Sequence, residues 1–189
     1  MEVKFERNKA KYPLKINGAV SIFRAHKGDL MTEANTSPIS LADLILPATI
    51  RLDLQGKTKQ SVIDELIELI SDAGLVRDKS AVRQAVIDRE RKLSTGLGHG
   101  IAIPHGKTSG VDKLVGAFGI KRDGIHFDSA DGAPARIFFL LVSPVTVTGP
   151  HIKALSGIAR FLRIEKNRER LLQAATTDEV LALLGKPAV

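Results

Sequence analysis

The sequence predicts one α/β layered domain. Long stretches repeat apolar residues at helical spacing, several apolar runs have the length of a strand, and glycine or proline separates the pieces. The chain has 189 residues, room for one such domain with a real core. A mixture of helices and short strands buries its apolar faces by packing in layers.

The elements follow in order. Residues 1–38 are basic, weakly patterned and end in the polar stretch TEANTSP, which sets them apart as an N-terminal extension to a folded domain over 39–186. Two readings stand for them. Translation starts at Met31 and residues 1–30 are a disordered tail or no part of the native protein, or residues 19–24 form a short strand. An intact native mass that includes Met1 excludes the internal start. SLADLI, residues 40–45, reads as a short turn with Ser40 as N-cap. ATIRLDL, residues 48–54, alternates as a strand does. Val62, Ile63, Leu66, Ile67 and Ile70 share one helical face, so 57–73 is an amphipathic helix, stopped by Gly74. Asp78 or Ser80 opens a second helix to about Leu93. Strands are expected at 101–103, 114–120 and 135–142, and helices at about 150–163, 166–175 and 177–184.

Composition removes several function classes. The longest apolar run, residues 137–142, is far short of a membrane span, and no secretory signal is recognisable, so a cytoplasmic protein without membrane insertion is expected. The chain has no cysteine, which excludes disulfides, thiolate metal sites and thiol nucleophiles. The net charge of +7 raises the question of nucleic acid. Aromatic residues make up only 4%, leaving few platforms for stacked bases. Acidic residues also interrupt the densest basic stretch, 160–170, so that stretch reads as a solvated helix face and no nucleic-acid partner is expected.

Chemistry concentrates around GLGHGIAIPHGK, residues 96–107. Gly96, Gly98 and Gly100 give G-x-G-x-G between a helix and a strand, whereas a dinucleotide cradle needs G-x-G-x-x-G between a strand and a helix. Their plain role is a sharp turn. His105 follows a strand that Pro104 must end or leave at an edge, and Gly106 beside it offers no obstruction. His105 is then either a ligand-facing imidazole at a strand end or a turn histidine without a role. His151 falls in the first turn of a helix if Pro150 is its first residue. It shares a stripe with Leu155, Ile158, Ala159 and Leu162, so it is either a core histidine or a neutral donor to an anion at the helix N-terminus. Arg89 continues the stripe of Val82, Ala85 and Val86, where a guanidinium snorkels, pairs with a carboxylate or awaits an anion. His99, His105 and His151 lack paired metal-ligand spacing, and an inward arginine would repel a cation, so no metal site is expected.

The stretch STGLGHGIAIPHGK closely resembles the active-site signature of enzyme IIA domains of the fructose–mannitol type (type 2) in the bacterial phosphoenolpyruvate-dependent phosphotransferase system. Its form is most similar to the nitrogen-regulatory branch. The resemblance runs from about Leu41 to Leu184, with DRE before the signature and HIKALSGIARFL after it. It implies a central mixed β-sheet flanked by α-helices on both faces. It also implies that His105 accepts a phosphoryl group, through Nε2, from HPr or an HPr-like phosphocarrier, that His151 is the second active-centre histidine, and that Arg89 is its arginine. Gly98, Gly100, Pro104 and Gly106 are then supports of the phosphoryl site, and no cofactor is required. Regulatory targets concerned with nitrogen, potassium transport or a sigma factor follow from the branch; a sugar-specific IIA that passes the group to a separate IIB is the alternative. His99 departs from the family, where asparagine or an acidic residue is common.

Overall fold

The computed structural model describes residues 40–185. The readings for residues 1–38, including Met31 and a strand over 19–24, lie outside the described residues. Ser40 precedes a 3-10 turn, Leu41–Leu44, but its side chain caps nothing; its carbonyl accepts from Asp43 N–H at 3.1 Å. A second 3-10 turn, Pro47–Thr49, replaces the first part of the strand expected over 48–54. Pro47 suits the start of a turn, and the Thr49 hydroxyl closes it by accepting from Leu46 N–H at 3.0 Å. The regular ladder is confined to β1, Ile50–Arg51, and further on Leu54 N–H donates to the Ile120 carbonyl at 2.8 Å.

The helix α1 spans Lys59–Asp72, capped by Thr58, whose hydroxyl accepts from Ser61 N–H. Gly74, at φ +70°, ends it where a side chain would be strained. Asp78 caps α2, Lys79–Lys92, by accepting from Ala81 N–H at 2.9 Å. Three short strands follow: β2 (Gly96–Gly98), β3 (Ile101–Ala102) and β4 (His105–Lys107). The two long strands are β5 (Val115–Ile125) and β6 (Ala135–Ser143). The chain closes with α3 (Gly149–Arg163), α4 (Glu165–Gln173) and α5 (Thr177–Leu184).

The sheet is mixed, with order β1-β5-β6-β3-β2, and β4 also pairs with β6. Strand β1 runs parallel to β5, and β3 and β4 run parallel to β6, whereas β5–β6 and β2–β3 are antiparallel. At the centre, β6 is buried on both faces, which explains its unbroken apolar run. Ile137, Phe139 and Leu141 pack with Ala154, Ile158, Leu162, Leu171 and Val180 beneath α3, α4 and α5. Phe138, Leu140 and Val142 pack with Val62, Ile63, Leu66, Val82 and Val86 beneath α1 and α2. The alternation of strand side chains therefore feeds two apolar layers, and helices cover both faces as the resemblance implied. Each layer is costly to open. Phe138 is fully buried, and truncation to alanine removes about 3–5 kcal/mol.

Candidate functional site

Strands β3 and β4 are two pieces of one path along the same side of β6, broken at Ile103–Pro104. Proline has no N–H to give to a ladder, yet the Pro104 carbonyl accepts from Leu141 N–H at 3.0 Å. The chain is held through its own break. His105 therefore opens β4 rather than following the end of a strand, a correction to the sequence reading. It does lie at an edge, because among the described residues β4 pairs only with β6. His105 sits opposite Leu141 and Lys107 opposite Ser143, the last residue of β6.

Half-buried, His105 has its Nδ1 2.8 Å from the Ile103 carbonyl. A carbonyl can only accept, so Nδ1 carries the ring proton and Nε2 keeps a free lone pair. Burial lowers the pKa of His105 and the Arg89 guanidinium lowers it further, against the Ile103 bond and Glu90, which favour the charged form. The net shift is downward, so the ring is neutral at pH 7.

Across from it, His151 is the third residue of α3 and only 4% exposed. The two ring centroids are 5.9 Å apart, with planes tilted by 55°. Burial, followed by the charges of His105 and Lys107, pushes its pKa down to about 4. Its Nδ1 lies 2.8 Å from the hydroxyl of fully buried Ser143. Pro150 is the second helical residue rather than the first, one position off the expected boundary.

Arg89 occupies the margin of the inward face of α2, and its charge reaches His105. The buried stripe is Val82, Val86, Ile87 and Glu90, so the inward residue is Glu90 and Arg89 flanks it. Among the described residues Arg89 has no ion pair. Its Nη1 donates to the Leu93 carbonyl at 2.8 Å, which steadies the fork. Glu90 accepts from Lys59 Nζ at 2.8 Å, from Thr95 N–H at 2.9 Å and from the Thr95 hydroxyl. Burial works against its charge, but these three donors outweigh burial and hold its pKa below the ordinary value. The network ties the end of α2 to Thr95, just before β2.

The supporting glycines divide. Gly106 is not an open approach to His105. It is buried, and a Cβ there would stand 3.0 Å from Val86 N and 3.1 Å from the Ala85 carbonyl carbon. Its lack of a side chain lets α2, and Arg89 with it, lie against β4. Gly98 and Gly100 do not reach His105 at all. With His99 they form the turn of the β2–β3 hairpin, and all three have positive φ. They therefore turn strand into strand, not helix into strand. The partners of Ile101 and His105 on β6 are Ile137 and Leu141, four residues or about 13 Å apart. His99 has a local explanation: its N–H donates to Asp131 Oδ2 at 2.7 Å at φ +54°.

Three side chains escaped the sequence reading. Lys107, two residues after His105 and on the same strand face, donates from Nζ to Thr148 Oγ1 at 2.8 Å. Glu90 was legible from its i+4 and i+8 spacing to Val86 and Val82. Ser143 left only a faint signal, a small polar residue ending the apolar run of β6. Together the site offers one free imidazole nitrogen, a second neutral imidazole, and the cations of Arg89 and Lys107. That set suits attack on, and retention of, a small polyanion.

Known proteins share this architecture. Residues 43–186 match the family described as "Phosphoenolpyruvate-dependent sugar phosphotransferase system, EIIA 2". The fructose-specific EIIA component of Haloferax volcanii is 40% identical over 137 residues, covering 72% of this chain and 89% of that one. The fructose-specific EIIABC component of Bacillus subtilis is 35% identical over 148 residues, 78% of this chain, and the chain spans 23% of that protein's length. Among solved structures, the nitrogen regulatory protein IIA-Ntr of Neisseria meningitidis has a TM-score of 0.70 at 33% identity, covering 76% of this chain and 98% of that one. The Escherichia coli mannitol enzyme IIA, solved in complex with phosphorylated enzyme IIB, has a TM-score of 0.63 at 28% identity, covering 72% and 94%.

Proposed function

The chain belongs to the EIIA 2 family of the phosphoenolpyruvate-dependent sugar phosphotransferase system, and on that premise we propose that it is a phosphohistidine carrier of the nitrogen-regulatory kind. His105 accepts a phosphoryl group from an HPr-like phosphocarrier in the cytoplasm, and the phosphorylation state sets the protein's affinity for its regulatory targets. The observation that carries this reading is the tautomer of His105: Nδ1–H is committed to Ile103 O, and Nε2 is the nucleophile.

The step is an exchange of one P–N bond for another. The Nε2 lone pair attacks phosphorus, the bond to the carrier's histidine nitrogen breaks, and that nitrogen keeps the electron pair. No proton leaves His105, because Nδ1–H stays on the Ile103 carbonyl. Attacking and leaving groups are nearly equivalent, so transfer is near-isoergic and reversible. In-line placement and charge stabilisation matter more than proton chemistry. Arg89 and Lys107 neutralise the phosphoryl oxygens, and His151 donates to them through its remaining ring nitrogen. Incubation with the phosphorylated carrier labels the wild type and not His105→Ala; undiminished acid-labile labelling of that variant rejects the assignment. His151→Ala keeps the acceptor and slows transfer, and an unchanged rate removes His151 from the mechanism.

The regulatory branch is favoured by the form of the signature and the likeness to IIA-Ntr. A sugar-specific role, handing the group to a separate IIB, is favoured by the 40% identity to a fructose-specific EIIA component. Affinity capture with wild type, His105→Ala and His105→Asp separates them. Regulatory proteins whose capture differs between the variants support the first; partners limited to a IIB protein establish the second.

A further inference from the structure

Two histidines can serve as nucleophile and donor only if their protons sit on opposite kinds of nitrogen. His105 must be protonated at Nδ1, and the Ile103 carbonyl ensures it. His151 must be protonated at Nε2 and bare at Nδ1, and among the described residues no carbonyl holds its Nδ1. The group there is a hydroxyl, which could donate or accept. Its choice decides whether His151 presents a hydrogen or a lone pair on the far side of its ring.

The surroundings of Ser143 make that choice. Its side chain is fully buried, so water does not compete. The hydroxyl has one proton and two acceptors within reach, His151 Nδ1 at 2.8 Å and the Pro144 carbonyl at 3.3 Å. Good O–H···O bonds lie at about 2.5–3.0 Å, so the carbonyl is the poorer acceptor and the proton goes to Nδ1. Ser143 itself is fixed at the end of β6, opposite Lys107, with its carbonyl accepting from Thr108 N–H at 2.9 Å. The hydroxyl is therefore presented from a rigid strand to a ring held in the first turn of α3.

We propose that Ser143 is the positioning residue of the site: by donating to His151 Nδ1 it fixes the Nε2–H tautomer and so makes His151 a hydrogen-bond donor toward the phosphoryl group on His105. The claim rests on the phosphocarrier reading for its purpose, but the tautomer is a property of the unphosphorylated protein. Ser143 touches no reacting atom. It acts through His151, as a partner of the second ring nitrogen commonly sets histidine tautomers.

Long-range nitrogen–proton NMR spectra of the unphosphorylated protein at pH 7 test it directly. In the wild type, His151 is expected to be protonated at Nε2 and bare at Nδ1, the reverse of His105. In Ser143→Ala the Nδ1–H form of His151 becomes populated while His105 is unchanged, and phosphoryl uptake slows by about fivefold, the factor matching loss of one neutral hydrogen bond. Ser143→Thr, which keeps the hydroxyl, restores the tautomer. A wild-type His151 protonated at Nδ1 overturns the proposal whether or not the variants fold. So does a Ser143→Ala protein with wild-type tautomer and rate. If the wild-type tautomer is as expected but His105 takes no label, the phosphocarrier reading falls and the assignment of the Ser143 hydrogen bond stands.

Discussion

Replacing Gly106 with valine should damage stability and phosphoryl transfer together, because one contact serves both. A Cβ at this position would stand 3.0 Å from Val86 N, 3.1 Å from the Ala85 carbonyl carbon and 3.2 Å from Val86 Cγ2. Two of these atoms belong to the backbone of α2 and cannot turn aside as a side chain can. Alanine asks α2 to retreat by a few tenths of an ångström. Valine adds two carbons about 1.5 Å further out, and both cannot avoid the helix. Overpacking of this kind costs about 1–3 kcal/mol, so Gly106→Val loses that much unfolding free energy and Gly106→Ala less. The helix that must retreat carries Arg89, and misplacing a group in a reacting site by about 1 Å can cost as much as about 100-fold. Urea unfolding gives the first quantity, and the initial rate of phosphoryl uptake by folded protein gives the second. A valine variant with the wild-type midpoint and rate would refute both the packing argument and the placement of Arg89.

Other consequences follow from the same geometry. Gly98→Ala brings a Cβ within 2.9 Å of the Asp131 carboxylate at φ +88°, so it lowers stability by about 1–2 kcal/mol while the uptake rate of the folded fraction stays at wild type; a rate loss beyond the folded fraction would place Gly98 in the site. Glu90→Ala strips the buried Thr95 N–H of its acceptor and costs about 1–3 kcal/mol in a urea titration, whereas no change would show that the network idles. The pH dependence has a definite sign. His151 is held neutral down to about 4 when folded but titrates near 6.5 when unfolded, so it lends stability above pH 6.5 that is lost between about 6.5 and 4. His151→Gln should flatten that slope, and an unaltered slope would remove His151 as its source. His105 is shifted the same way, so the acid limb of uptake should fall below pH 6.5; a limb centred above 6.5 would mean that the ring is not desolvated.

Helical periodicity carried the helices and an unbroken apolar run carried β6, whereas β5 runs five residues past its expected end at 120, where its outer residues turn polar and exposed. The helices α1, α2, α3, α4 and α5 and strand β6 fall within about two residues of their expected bounds. Of the short strands, β3 was legible at 101–103, whereas β2 and β4 were not. Strands β2 and β4 have three residues each, too few to establish alternation, and a glycine occupies the middle of β4 and both ends of β2. That loss misdirected the reading of Gly98, Gly100 and Gly106, since a glycine in a hairpin, a turn or a helix contact looks alike in one dimension. Local features singled out His105, His151 and Arg89, although His105 opens a strand and Arg89 flanks the inward stripe that Glu90 completes. What joins them is not local. The hydroxyl of Ser143 on His151, the ammonium of Lys107 on Thr148 and the carboxylate of Glu90 on Thr95 depend on which strand lies beside which. Register is written in pairs of distant residues, and no single window of the chain contains it.

Phosphocarrier function depends on one bond, between phosphorus and His105 Nε2. Nitrogen-15 labelled protein, phosphorylated by the HPr-like carrier, can be read by phosphorus–nitrogen coupling. The predicted spectrum couples phosphorus to Nε2 of His105 alone, with Nδ1 still protonated against the Ile103 carbonyl. Phosphorus on His151, or on Nδ1 of His105, would rule out Nε2 of His105 as the acceptor.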